Sequence, residues 1–238
     1  MLLVVHYLHH SGWLIELEDQ LLIIDYWRGE LPRFVADDPR PLLMIASHAH
    51  GDHYNPKAIL PLLRKRPNTR LILSSDITVP DDLPRPAIVL APGDSAAIGP
   101  LHIRAFDSSD AGISLLLRTQ QVVLFHAGDF NLWHWPLEST PTEIAAAEAS
   151  FERILVSIEE ELSPGELDLA FFPVDARQGA DFDRGARLFC QRLQPKHFFA
   201  MHFLASDETS AFHQWICQEL PSLCDYTLMP QEKIEIAL

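Results

Sequence analysis

A chain of 238 residues that is 47% hydrophobic can bury the core of one large domain, which excludes global disorder. Its 18 basic and 33 acidic side chains leave a net charge of −15, and such a surface repels nucleic acid at long range. The three cysteines, Cys190, Cys217 and Cys224, are odd in number and form no C-x-x-C pair. That argues against a disulfide framework and fits a reducing compartment.

The first quarter of the chain predicts β structure. "LLVVHYL", "GWLIELE" and "LLIIDYW" are short, apolar and rich in β-branched or aromatic residues, and Glu18-Asp19-Gln20 makes a polar turn between the last two. The N-terminus has neither a basic flank nor a long apolar core, so it reads as a strand and not as a signal peptide. "PLLMIAS" is a continuous apolar run, as in a strand covered on both faces. Asn55 and Pro56 supply an N-cap and a first-turn proline for a helix over residues 56–66, with Pro61 a point of kinking inside it. "RLILSS" is the next strand. Residues 76–100 are rich in Pro, Asp and Gly and read as loops with short strands, including "AIVLA".

"LHIRAF", "ISLLLR" and "VVLFHAG" predict three further strands, with Thr119-Gln120-Gln121 turning between the last two. Thr140, Pro141 and Glu143 make a capping box at the head of a long helix over residues 140–162. "LDLAFFPV" follows as a strand, "FDRGARLFCQRL" as a helix, "KHFFAMHF" as a strand and "ETSAFHQWICQEL" as a helix. Cys190 and Cys217 sit beside apolar residues in these helices and read as small buried hydrophobes. No run approaches the roughly 18 apolar residues of a membrane span, so a soluble cytoplasmic protein without a membrane partner is expected. No repeat of fixed period is visible. Two β-rich halves with helices outside predict a single α/β domain, residues 1–238, built as a four-layer αββα sandwich.

One segment stands apart. "MIASHAHGDHYNP" places His48, His50, Asp52 and His53 in H-x-H-x-D-H order at the exit of the "PLLMIAS" strand. Imidazole is the commonest side-chain metal ligand, and alternate residues of an extended segment face the same way, so His48 and His50 can point at one ion. Asp52 and His53 lie in the following turn and can face a second position beside it. Imidazole with carboxylate suits zinc, manganese or iron, and strand exits are where layered α/β proteins place their active sites.

The H-x-H-x-D-H motif resembles the signature of the metallo-β-lactamase fold superfamily. "HHSGWLIELEDQLLIIDYW" looks like the opening of its lactonase-like branch, which includes ascorbate-6-phosphate lactonase. "FHAGD", residues 125–129, and "AMHF", residues 200–203, are similar to that branch's later motifs. The resemblance runs in order over almost the whole chain. It implies that His48 and His50 bind a first metal, that Asp52, His53 and His202 bind a second, and that Asp129 bridges the two. It also implies a third histidine for the first metal just before "GISLLL". This chain has "FDSSDAG" there, so Asp110 is the expected substitute, with Asp107 and His134 as alternatives.

Several other residues carry two readings. His10, at a hairpin turn, lines the pocket or lies on the surface. His126 reads as a strand-end histidine whose spacing from Asp129 leaves ligation open. Trp133, His134 and Trp135 form either a core cluster or a pocket wall. Arg177 either orients an anionic substrate group or pairs with Asp175.

Two divalent ions, zinc first and manganese or iron as alternatives, would hold a bridging hydroxide for attack on a carbonyl carbon or a phosphorus. The expectation is therefore a metal-dependent hydrolase of a small ester, lactone, amide or phosphodiester, with Asp52 as its catalytic residue. His10, His134 and Arg177 are the expected substrate-binding residues, and a homo-oligomer is compatible with the sequence. The alternative is a non-catalytic metal-binding or sensing protein whose first site is degraded. The retained Asp52 favours the enzyme. A nuclease would need a basic track that the charge of −15 does not supply.

Overall fold

The computed structural model describes residues 2–238. Chain contacts divide them into two units: the residues up to Ala91 together with Leu228–Leu238, and Pro92–Thr227. Each unit is built on one seven-stranded mixed sheet.

In the first unit, β1 (Leu2–His9), β2 (Gly12–Glu16) and β3 (Leu21–Ile24) form an antiparallel meander. Strands β4 (Leu42–Ala46), β5 (Arg70–Ser74) and β6 (Ile88–Leu90) extend it in parallel beyond β3. In the second unit, β7 (Ser95–Ile98), β8 (Leu101–Asp107), β9 (Ile113–Arg118) and β10 (Val123–His126) run antiparallel. Strands β11 (Leu169–Pro173), β12 (His197–Met201) and β13 (Cys224–Tyr226) then add in parallel. Strand β14 (Lys233–Ala237) returns to the first sheet and pairs antiparallel with β1. Both sheets therefore have four antiparallel strands followed by three parallel ones.

Parallel pairing needs a crossover, and helices provide most of them. These are α1 (Pro56–Lys65) between β4 and β5, α2 (Pro141–Glu159) before β11, α3 (Arg184–Leu193) before β12 and α4 (Ser210–Glu219) before β13. The caps are those the sequence predicts. Asn55 accepts from the Lys57 amide at 3.1 Å, and Thr140 and Glu143 close a reciprocal capping box. Helix α1 runs through Pro61, which lies on its exposed side. Ile59, Leu62 and Leu63 of α1 pack into a core with Leu21, Ile23, Met44 and Leu71. In the second unit the contacts are aromatic. Phe151 of α2 stacks on Phe130 at 5.0 Å, Phe189 of α3 meets Phe172 at 4.7 Å, and Phe212 of α4 meets Phe198 at 4.9 Å. A buried phenyl of this kind contributes roughly 1.5–3 kcal/mol, so each helix is held by its apolar face more than by propensity.

Two expectations need correction. Cys217 is exposed, and only Cys190 is buried. The sequence expectation places short strands within residues 76–100, where β7 lies, but does not include β13 or β14. Apart from the buried Ile236 of β14, these three edge strands carry exposed or half-buried positions, and none contains an apolar run. Among the described residues no helix is long and apolar enough to cross a membrane.

Candidate metal centre

In each unit the chemistry-bearing residues follow the C-terminal ends of consecutive strands. In the first unit Asp25 follows β3, and Ser47 to His53 follow β4. Asp25 is fully buried and left-handed, with φ of 51°. Its carboxylate accepts from the Ser47 amide at 2.7 Å, from Ser47 Oγ at 2.7 Å and from His53 Nδ1 at 2.8 Å. Because the Ser47 hydroxyl donates to Asp25, it accepts from His48 Nδ1, 3.0 Å away. One carboxylate thus fixes the proton of both buried histidines on Nδ1, directly for His53 and through Ser47 for His48. That tautomer presents Nε2 as the lone-pair donor.

The rings of His48 and His53 lie 4.0 Å apart, and their ligand nitrogens fall within 4.8 Å of each other. His50 is exposed and lies edge-on to His48 at 4.6 Å. Between them the Ala49 amide donates to Asp76 at 3.0 Å, which anchors the loop. His10, buried and left-handed at φ 60°, approaches Asp52 Oδ2 with its Nε2 at 3.3 Å and meets the His53 ring edge-on at 5.5 Å. The hydrogen bond from His10 holds the Asp52 carboxyl well below the usual range. Burial opposes it.

In the second unit Asp129 follows β10, Asp175 follows β11 and His202 follows β12. His202 is also left-handed, with φ of 69°. So three of the six non-glycine residues with positive φ among the described residues belong to these clusters. Such strain persists where surrounding bonds impose it. His202 Nδ1 donates to Asp175 Oδ2 at 2.9 Å, and its Nε2 faces Asp129 Oδ1 at 3.3 Å. Arg177 clasps Asp175 through Nε at 2.8 Å and Nη2 at 2.5 Å. Burial works against ionisation of Asp175, but the bonds from His202 and Arg177 outweigh it and hold the carboxyl well below its ordinary value.

Asp110, Asp129, Asp175, Arg177, His202, Trp133 and Trp135 line a cavity of about 370 Å³ in this unit. Carboxylate oxygens of Asp110 and Asp129 lie within 4.8 Å of each other. Asp107, by contrast, pairs with Arg153 at 2.8 Å. His134 is buried, with Nδ1 donating to the Leu132 carbonyl at 3.3 Å, and is not among the residues lining the cavity. His126 is buried and accepts from the Gly128 amide at 3.1 Å.

Sequence reasoning did not single out Asp25, Ser47 or Asp76, nor Asp175 as the partner of His202. The available signal was an acidic residue closing an apolar strand, in "LLIID" and again in "FFPVD". The donors suit a divalent cation. Each cluster holds imidazole nitrogens and carboxylate oxygens, and His53 and His202 are oriented from behind by a carboxylate, as ligating histidines usually are.

A search of curated protein sequences found no match. Solved structures share the fold at low identity. Igni18, a novel metallo hydrolase from the archaeon Ignicoccus hospitalis, is 16% identical with a TM-score of 0.69, and the match covers 100% of both chains. YhfI, a metallo-beta-lactamase fold protein from Bacillus subtilis, is 13% identical with a TM-score of 0.67, over 98% of this chain and 99% of that one. CmlA, a diiron beta-hydroxylase from Streptomyces venezuelae, is 14% identical with a TM-score of 0.66, over 99% of this chain and 54% of that one. A family model, the beta-lactamase superfamily domain, matches residues 4–150, more than half of the chain. With its two mixed sheets and flanking helices, the protein belongs to the beta-lactamase superfamily and has the α/β metallo-β-lactamase sandwich fold.

Proposed function

We propose that the protein is a metal-dependent hydrolase of the lactonase-like branch, acting on a small ester, lactone, amide or phosphodiester. His48 and His50, with Asp110, would hold one divalent ion. Asp52, His53 and His202 would hold a second, and Asp129 would serve both. What carries this reading is one device found separately in both units: a buried carboxylate bonded to histidine Nδ1, Asp25 on His53 and Asp175 on His202. Carboxylates also hold His6 and His213, through Glu16 and Asp225, but only at His53 and His202 does the pair close a strand-end cluster of further imidazole and carboxylate donors, the setting in which a ligating histidine is oriented from behind.

Divalent ions at these residues would supply Lewis acidity, which activates water at neutral pH and polarises a carbonyl or phosphoryl oxygen. The chain's own residues do the rest. Asp52 is ionised at neutral pH, so it can accept from an attacking water, and His10 Nε2, donating to its Oδ2, holds the carboxylate in place. Asp175 keeps the His202 ring from turning, and Arg177 keeps Asp175 charged. Trp133 donates from Nε1 to the Asp129 carbonyl at 2.6 Å and packs on the His202 ring at 5.4 Å, which excludes water from one side of both residues.

The test is a panel of p-nitrophenyl acetate, an acyl-homoserine lactone and bis(p-nitrophenyl) phosphate. At least one should be hydrolysed, and chelation followed by zinc or manganese should abolish and then restore the rate. Asp52→Asn should lower kcat by a factor of at least roughly 10²–10⁴, the size of a lost general acid–base group, and should weaken the second ion as well. Turnover that survives complete metal removal would refute the reading.

A further inference from the structure

The segment after Asp129 is apolar where it meets solvent. Trp135 is 40% exposed and Leu137 is 94% exposed, two residues apart. Trp133 and Trp135 both line the 370 Å³ cavity, with nearly parallel rings, 17° between planes and 6.2 Å between centroids. The wall is also preformed. The Trp135 carbonyl accepts from the amides of Glu138 at 2.9 Å and Ser139 at 2.7 Å, and the Trp135 amide donates to Ser139 Oγ at 3.2 Å. The Trp133 indole is fixed by its bond to the Asp129 carbonyl.

A half-exposed indole in a cavity beside Asp129 and His202 does little for the core. It offers a flat, polarisable surface on which a planar group loses water at small conformational cost. The other lining side chains, Asp110, Asp129, Asp175, Arg177 and His202, are all polar, so the two neighbouring indoles supply the cavity's extended aromatic surface.

We infer that the substrate carries an aromatic or otherwise planar apolar group that seats on the Trp133–Trp135 wall, with its hydrolysable group toward Asp129 and His202. Trp135 is the specificity-determining residue. This rests on the hydrolase reading above. Trp133 has a second duty in holding Asp129, whereas among the described residues no proposed metal ligand is hydrogen-bonded to the Trp135 indole.

Calorimetric titration of the zinc-loaded protein with phenylphosphonate and methylphosphonate tests the inference without turnover. Stacking and burial of the ring should make phenylphosphonate bind about ten-fold more tightly. In Trp135→Ala the preference should fall to within about two-fold, and in Trp135→Phe it should largely persist, since a smaller aromatic face remains. Methylphosphonate affinity and zinc content should stay the same in both variants. Equal affinities for the two probes in the unaltered protein, or a preference unchanged in Trp135→Ala, would overturn the inference. Zinc content measured on each sample separates the two readings. Bound zinc without a phenyl preference rejects this inference alone, and absence of bound zinc rejects it together with the hydrolase reading.

Discussion

Replacing Asp25 by Asn changes one buried atom and should cost the protein much of its metal affinity. Asn tolerates the left-handed φ of 51° found at this position, so the backbone has no reason to move. The Ser47 amide, 2.7 Å from Oδ1, can keep its acceptor. The new amide nitrogen must then face Ser47 Oγ and His53 Nδ1, now 2.7 and 2.8 Å from Oδ2. An amide nitrogen donates, so His53 has to accept at Nδ1 and carry its proton on Nε2. Ser47 loses the acceptor that left its oxygen available to His48. Both histidines are thereby pushed toward the wrong tautomer for an Nε2 ligand. Loss of a carboxylate behind a ligating histidine costs about 10- to 100-fold in metal affinity, or roughly 1.4–2.7 kcal/mol, and here two histidines share it. Competition with a chromogenic chelator measures the affinity, circular dichroism checks the fold, and nitrogen NMR of the rings reports the tautomer. Wild-type zinc affinity in a folded Asp25→Asn protein would refute the reasoning.

Other perturbations separate the same account from simpler ones. Asp129→Ala and His202→Ala should each lose bound metal while keeping the thermal transition, measured by calorimetric titration and by unfolding. Full metal content in both variants would remove them from the site. A Cβ at Gly12 would stand 2.8 Å from the Asp25 carbonyl, whereas one at Gly51, inside the histidine motif, would meet nothing within 4 Å. Gly12→Ala should therefore weaken metal binding and lower Tm, and Gly51→Ala should match the unaltered protein in both. Arg40 binds Glu16 and Asp38, each at 2.7 Å. Burial works against the Glu16 carboxyl, but bonds from Arg40 and His6 outweigh it, and the Arg40 bond lowers Asp38, so both titrate below their ordinary values. A folded-state value below the unfolded one gives stability that is present above about pH 4–4.5 and lost as pH falls through the folded value. The Tm deficit of Arg40→Ala should thus be clear at pH 7 and shrink toward pH 3. A deficit that grows on acidification would contradict the assignment.

The legible part of the fold was what local chemistry decides. The Thr140–Glu143 box and the Asn55 cap are written in adjacent residues, and the structure contains both. Apolar runs marked β3, β4 and β11 because parallel or central strands are buried on both faces. The edge strand β14 alternates exposed residues with Ile234 and the buried Ile236, a signal too short to stand out beside the apolar runs until its pairing with β1 is seen. The shared order of the two sheets, four antiparallel strands and then three parallel, leaves no trace as a sequence period because it is a pattern of pairing and not of residues. The same limit applies to the candidate site. The histidines of residues 48–53 announce themselves by type and spacing. Asp25 and Asp175 are single acids at strand ends, and only the fold places them behind His53 and His202. Exposure of Cys217 was likewise illegible, since an α-helix of mixed composition does not declare which face it turns outward.

Elemental analysis of the protein, after growth in metal-supplemented medium and exhaustive dialysis, tests the central claim most directly. Proposed ligands follow β4, β8, β10 and β12, enough for two ions, so the account predicts more than one zinc, manganese or iron per chain. It also predicts that this content falls in Asp25→Asn and in His202→Ala alike. One ion or fewer per chain under saturating metal would contradict a binuclear centre, and no bound metal would contradict the hydrolase reading altogether.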